Sequence, residues 1–325
     1  MTTLGHLIKV DLRNIWQSEA QDFTPWLAGE DNLVLLGDTL GIDLELEAVE
    51  QNVGPFRADI LCKDTLSDRW VLIENQLERT DHTHLGQLMT YAAGLDAVTI
   101  VWIAAKVTDE HRAAMDWLNE ITASDVRFFA LEIELWRIGD SPAAPKFNVV
   151  SKPNDWSRSM SGAKKVIEQA QLTNAQQMLL DYWTAFESKL PDHSRRVRPV
   201  KPLAQNWLVH SIGKSGVTLN ISWNRRENWV RTEIYLTGRN ANFYFKQLKS
   251  EQKAIEAELA TALEWYDAAA NDRRIHLTKN FPDVADHSTW PQQHEWLATS
   301  LDKFHRVFKP YVSQLVRKPN GGEEE

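Results

Sequence analysis

The alternation of apolar and polar positions divides the first half of the chain into short segments of different period. Residues 6–28, HLIKVDLRNIWQSEAQDFTPWLA, set Leu12, Ile15, Trp16 and Ala20 at helical spacing before a break near Pro25, which predicts one or two short helices. LVLLGDTLGI adds a further helix that stops at Gly41. The period then drops to two. IDLELEAVEQ alternates, FRADILCKD and RWVLIENQL follow as strands, and the polar DTLSD between the last two reads as a hairpin loop. HTHLGQLMTYAAGL returns to helix, and AVTIVWIAAKV, apolar nearly throughout, reads as a strand covered on both faces. DEHRAAMDWLNEITA, VRFFALEIELWRI and KFNVVSKP supply a helix, a strand and an extended piece. The order helix, three strands, helix, strand predicts an α/β fold, a mixed sheet flanked by helices.

Beyond Pro153 the texture turns polar, and NDWSRSMSGAKKV suggests a linker over residues 153–172 between a first domain, 1–152, and an α+β domain, 173–318. The second domain is expected to hold a helix (NAQQMLLDYWTAFESKL), a basic loop (HSRRVRPVKP), and strands VTLNISW and WVRTEIYL joined by NRREN. Two long helices, about 244 to 270 and 290 to 317, are expected either side of RRIHLTK, and residues 319–325 read as a disordered tail.

Composition narrows the class. An apolar share of 43% with 25% charged residues is that of a globular protein, and no stretch approaches the roughly 20 apolar residues of a membrane-spanning helix. The N-terminal residues lack the pattern of a secretory signal, so a cytoplasmic protein with no membrane association is expected. A single cysteine, Cys62, excludes an internal disulfide and a cysteine zinc site, and reads as core packing. The fourteen Trp are spread over both halves and read as core and domain-contact anchors more readily than as a stacking platform. Net charge is −9, which gives no global attraction for nucleic acid, yet residues 192–240 carry nine Lys/Arg against three acids.

Two strands break on carboxylates. Asp59 lies between Ala58 and Ile60, Glu74 follows Leu72 and Ile73, and the short hairpin can bring both acids to one end of the sheet. An unpaired buried carboxylate is costly, and a divalent cation with oxygen ligands would balance the two. The alternative is that strand alternation turns both acids to solvent. Gln76 lies two residues beyond Glu74 and therefore on the same strand face. On the following helix His84, Gln87 and Tyr91 fall at i, i+3 and i+7, one face. His82 and His84 form an H-x-H that does not place both rings together, and they read as cap-region or substrate-facing residues.

Asp59 on one strand with Glu74-Asn75-Gln76 on the next resembles the PD-(D/E)xK nuclease superfamily, whose core has the same order of helix, three strands, helix, strand. Ala58 stands where the name-giving Pro would be, and Gln76 replaces the Lys, as it does in some active restriction endonucleases of that superfamily. Gln87-x-x-x-Tyr91 is similar to a motif of the RecB-like branch that lines the site. The resemblance implies a Mg²⁺ or Mn²⁺ site held by Asp59, Glu74 and the carbonyl of Asn75, with Glu19 as a further acid from the N-terminal helix. It implies catalysis by Asp59, Glu74 and Gln76, with His84, Gln87 and Tyr91 positioning the substrate. Over nearly the whole chain the sequence looks like a family of bacterial PD-(D/E)xK proteins with a C-terminal domain of unknown function, which points to restriction or antiphage defence.

The expected activity is metal-dependent hydrolysis of phosphodiester bonds, most naturally of DNA. The rival reading is a catalytically degenerate nuclease fold that binds nucleic acid or protein, and a third is a regulatory subunit docking through its second domain. In that domain Arg195, Arg196, Arg198, Lys201, Arg225 and Arg226 are candidates for phosphate contact, and Trp223 and Trp229 for base stacking, against the plainer reading of a solvated basic surface with buried Trp. A homodimer or a protein partner is compatible with these residues.

Overall fold

The computed structural model describes residues 4–53, 56–95, 99–123, 126–153, 172–267 and 273–318, without the side chains of 51–53, 56, 91, 92, 94 and 95. Residues 154–171 of the expected linker, 153–172, and the tail, 319–325, lie outside the described residues. The chain divides into two compact units, Met1–Val166 and Ile167–Glu325.

The first unit is built on a mixed sheet. Its elements are β1 (Leu7–Val10), a 3₁₀ turn (Leu12–Asn14), a π turn (Glu19–Phe23), α1 (Thr24–Leu27), α2 (Glu30–Leu40), β2 (Leu44–Val53), β3 (Phe56–Asp64), β4 (Trp70–Asn75), α3 (His82–Leu95), β5 (Thr99–Ala104), α4 (Asp109–Ile121), β6 (Arg127–Ile138) and β7 (Ala144–Ser151). Strands lie in the order β1-β6-β5-β4-β3-β2, with β7 also pairing β6. The central β4, β5 and β6 are parallel and the other pairs antiparallel. Acidic Glu30 and Asp31 favour the start of α2, and Gly41, at φ 73°, closes it in the left-handed conformation a glycine adopts without strain.

One expectation fails here. LIKV is a strand, not the start of a helix, and it pairs antiparallel with Leu135–Ile138 of β6. Its side chains are mostly exposed, so no burial pattern marks it, and Lys9 is held to Glu134 at 2.8 Å.

Both faces of the sheet are covered. On one, Ile60, Cys62, Val71 and Ile73 pack with Phe23, Leu27 and Leu36 of the N-terminal turns and helices. On the other, Leu72, Ile100 and Trp102 pack with Leu88 of α3 and with Met115 and Leu118 of α4. Each such side chain contributes about 1.5–3 kcal/mol by leaving water. Since β4 is covered on both sides, neither phase of its alternation sends Glu74 to solvent.

The second unit contains α5 (Asn174–His193), β8 (Trp207–Lys214), β9 (Val217–Asn224), β10 (Trp229–Leu236), α6 (Ala241–Ser250), α7 (Gln252–Leu259), β11 (Glu264–Asp267), β12 (Arg273–Asn280), a 3₁₀ turn (His287–Thr289) and α8 (Trp290–Ser313). Its five-stranded sheet, β11-β12-β10-β9-β8, is antiparallel throughout. One face, with Leu219, Ile221 and Ile234, packs on Tyr182, Phe304 and Phe308 of the helices.

Two expected long helices are corrected. The first breaks into α6 and α7 and ends at Leu259, where Ala260 turns left-handed at φ 52°. Glu256 Oε1 then accepts from Leu263 N and Trp265 Nε1, at 3.1 and 2.9 Å, drawing the chain back as β11. RRIHLTK is strand β12, between β10 and β11. The second helix ends at Ser313. Among the described residues no helix is long and apolar enough to cross a membrane.

Candidate active site

The acids meet where β3 and β4 part. The two strands pair through Ile60 opposite Ile73, a register that sets Asp59 opposite Glu74. At that point Asn75 N donates not to the backbone of β3 but to Asp59 Oδ2, at 2.8 Å. The Asp59 side chain thus takes the place of a ladder bond and is pinned beside Glu74. Asp59 is half-buried and Glu74 only 4% exposed, which removes the alternative of two solvated acids.

Burial raises the pKa of both carboxyls, and the charge of Asp59 raises Glu74 further. The Asn75 N–H opposes the rise at Asp59. Glu74 Oε2 is buried with no hydrogen-bond partner. Two like charges in a low-dielectric place, one with an idle oxygen, fit a hard divalent cation that keeps much of its water and takes one or two carboxylates. Among the described residues no three His, Cys, Asp or Glu side chains form a group that could hold a metal ion.

Glu50 is a neighbour that sequence reasoning missed. Val49 opposite Ile60 and Gln51 opposite Ala58 set Glu50 across from Asp59, and its charge raises both Asp59 and Glu74. Its backbone is left-handed at φ 54°, a costly conformation for a residue with a Cβ, and Arg57 Nε holds its Oε2 at 2.6 Å. A bulge between Leu46 and Ala48 shifts the alternation of β2 by one residue, so counting from Leu44 assigns Glu50 to the wrong face.

Glu19 also comes to this end of β4. It opens the π turn, its Oε1 accepts from Leu77 N at 2.8 Å with Arg13 Nη2 at 3.5 Å, and its charge raises Asp59. The Asn75 side chain donates to Thr24 Oγ1 at 2.9 Å, on the face opposite Glu74, and its Oδ1 is buried without a partner.

Gln76 is placed differently from expectation. It is 2% exposed, its Oε1 accepts from Trp102 Nε1 at 2.8 Å, and its Nε2 donates to Arg79 O at 2.8 Å and Asp81 Oδ2 at 3.3 Å. The amide ties the end of β4 to the turn before α3, and both of its N–H groups are engaged within the chain. His84, on the first turn of α3, is near enough to the acids for its charge to act on Asp59. Asp81 caps the helix by accepting from His84 N at 3.0 Å and holds His84 Nδ1 at 2.7 Å. Burial works against ionisation of Asp81, but the hydrogen bonds from His84 outweigh it and hold the carboxyl below its usual range. His84 in turn lowers Asp59.

Gln87 is half-buried in α3, Tyr91 lies in the same helix, and the Tyr91 side chain is outside the described residues. His82 turns away from His84 to the buried His111, with Nδ1 and Nε2 3.1 Å apart.

In the second unit Arg195, Lys201, Arg225 and Arg226 are exposed and Arg198 is half-buried. Arg196 is paired with Asp302 at 3.2 Å. Trp223 is corrected as a stacking candidate: it is 3% exposed and its Nε1 donates into the core to Val284 O at 3.3 Å. Trp229 is half-buried on the other face of the sheet, with the Arg231 guanidinium 4.3 Å from its ring centre.

Residues 178–312 match a family described as a domain of unknown function (DUF4268). No curated protein matches the chain. Among solved structures, a repair endonuclease from Pyrococcus abyssi is similar over 27% of this chain, with 15% identity and a TM-score of 0.24. The chain spans 41% of that protein's length.

Proposed function

We propose that the first unit is a divalent-metal-dependent nuclease of the PD-(D/E)xK kind acting on DNA. The observation that carries this reading is the pair Asp59 and Glu74, placed side by side where two covered strands separate, with Glu74 Oε2 lacking any partner. A fold without a use for those charges would fill the same space with apolar side chains at no loss. Asp59 and Glu74 would hold Mg²⁺ or Mn²⁺. When bound, the ion supplies charge to a developing phosphorane and a lowered pKa to an attacking water. Asn75 N and Glu19 fix Asp59 and the chain after β4, and Gln76 locks the β4–α3 connection. His84, aimed by Asp81, is the group of this chain best placed to donate to a phosphate oxygen, in the role the superfamily gives to its Lys. A second reading, a degenerate module that binds without cutting, draws support from the internal commitment of the Gln76 amide.

The test is cleavage of end-labelled single- and double-stranded DNA by the purified protein in Mg²⁺, Mn²⁺ or EDTA, beside Asp59→Asn and Glu74→Gln. Metal-dependent cutting that falls about a hundredfold or more in both variants is expected. Full activity in either variant, or cutting in EDTA, overturns the proposal, and no cutting in any metal with DNA binding intact favours the second reading.

A further inference from the structure

Where α7 ends, the chain turns through the left-handed Ala260 and returns as β11, and between this turn, β12 and α8 lies a cavity of about 150 Å³. Its apolar side is made by Leu259 and Leu263 on either side of the turn, Leu277 of β12 and Phe304 of α8. Trp296, Thr299, Ser300 and Lys303 enter from α8 at i, i+3, i+4 and i+7, one face of that helix. An apolar cavity of this volume accommodates benzene, so the space admits a single ring.

The polar side of the cavity specifies the rest of the ligand. Ser300 is only 6% exposed, and its hydroxyl and those of Thr261 and Thr299 find no hydrogen-bond partner among the described residues. The exposed Lys303 makes no ion pair among them either. Its neighbours on α8 are committed elsewhere, Glu295 to His193 at 3.4 Å and Asp302 to Arg196 at 3.2 Å, and Glu256 of α7 accepts from Leu263 N and Trp265 Nε1. Lys279, two residues beyond Leu277 and on the same strand face, sets a second ammonium 6.0 Å from the Trp296 ring centre. Positive charge and open hydroxyls beside a ring-sized apolar space match an anion with an aromatic body. A carboxylate has acceptor oxygens for both the ammonium and a hydroxyl. A phosphate is held best by guanidinium forks, and no arginine lines the cavity.

We infer that the second unit binds a small aromatic carboxylate in this cavity, with the ring against the leucines and Phe304 and the carboxylate toward Lys303 and the hydroxyls. The inference concerns the second unit and does not depend on the nuclease reading. It is tested by saturation-transfer NMR titration of the full-length protein with three probes: benzoate, its neutral isostere benzamide, and acetate, which has the charge without the ring. Benzoate is expected to saturate with a dissociation constant below about 10 mM. Benzamide should bind about ten- to a hundredfold more weakly, and acetate should show no saturation over the same range. Lys303→Gln, at an exposed position, is expected to remove the advantage of benzoate over benzamide with an unchanged melting curve. Equal affinity of the wild-type protein for benzoate and benzamide overturns the inference, as does benzoate that does not saturate, independently of whether the variant folds. An advantage of benzoate that survives in Lys303→Gln also overturns it. Inorganic phosphate displacing benzoate at equal concentration would overturn the assignment to a carboxylate.

Discussion

Each unit buries a pair of ionisable side chains, and the two pairs are opposite in kind. In the second, Glu187 of α5 and His210 of β8 are 3.5 Å apart, with side chains 6% and 1% exposed. Burial pushes Glu187 up to about 7 against a hydrogen bond from Val200 N, and pushes His210 down to about 4 against its bond to the Arg198 carbonyl. An acid that keeps its proton beside a base that declines one is a pair without net charge, although Glu187 Oε1 and His210 Nε2, like Glu74 Oε2, make no hydrogen bond. Asp59 and Glu74 are both acids, the charge of Asp59 raises Glu74, and no single proton neutralises the two. Burial alone therefore does not mark a functional site. What distinguishes the first pair is that both partners are acids, so that any charges they carry have the same sign.

Linkage gives the contrast a measurable form. Native Glu187 holds its proton up to about pH 7 while the unfolded chain releases it near pH 4, so its contribution to stability falls as pH rises through that window. For His210 the unfolded chain takes up a proton below about pH 6.5 and the native protein only below about pH 4, so its contribution rises with pH across that range. The two slopes oppose. For Asp59 and Glu74 both native pKa values are raised, so both contributions fall as pH climbs above the ordinary carboxylate range, and the slopes add.

The largest expected effect follows at once. At pH 8, Mg²⁺ in hundredfold excess over its dissociation constant should stabilise the wild-type protein by about 2.7 kcal/mol, seen as a raised melting temperature, and leave Glu74→Gln unmoved. Equal stabilisation of both proteins would break the comparison. Next in size is Gln76→Leu, which leaves Trp102 Nε1 without its acceptor and should cost about 1–3 kcal/mol in urea unfolding. A neutral result there would mean that the amide is not the internal tie its bonds suggest. The smallest effect sharpens the other half: Glu187→Gln removes the falling slope and exposes the rising one of His210, a change of about 2 kcal/mol between pH 4 and 6.5. An unfolding profile unchanged in shape would show that the two groups do not offset each other.

The sequence carried the parts of this picture that depend on local period. β5 is six residues buried without exception, and its apolar run could be nothing else. Asp59 and Glu74 were legible because a short hairpin fixes which residues face each other. Glu50 was not, because one bulge in β2 inverts its face. The bonds that hold the Gln76 amide come from Trp102, Asp81 and the Arg79 carbonyl, and no spacing rule links positions 76 and 102. β1 escaped because an exposed edge strand has no buried face to show, and β11 because the segment after α7 reads like a continuation of the helix until Glu256 bends it back. The placement of α3 against the sheet was foreseen, whereas the aim of His84 depends on a cap that only the folded turn reveals.

Cys62 lies three residues from Asp59 along β3, fully buried, with burial and the charges of Glu47 and Glu45 pushing its thiol far up. The chain has no other cysteine. A thiol reagent can react only when the layer over Cys62 lifts or β3 leaves the sheet, so the labelling rate of the unmodified protein counts openings around the strand that carries Asp59. Any ligand that closes the fork between β3 and β4 would slow that clock, giving occupancy of the acids a chemical readout that needs neither a substrate nor an engineered probe.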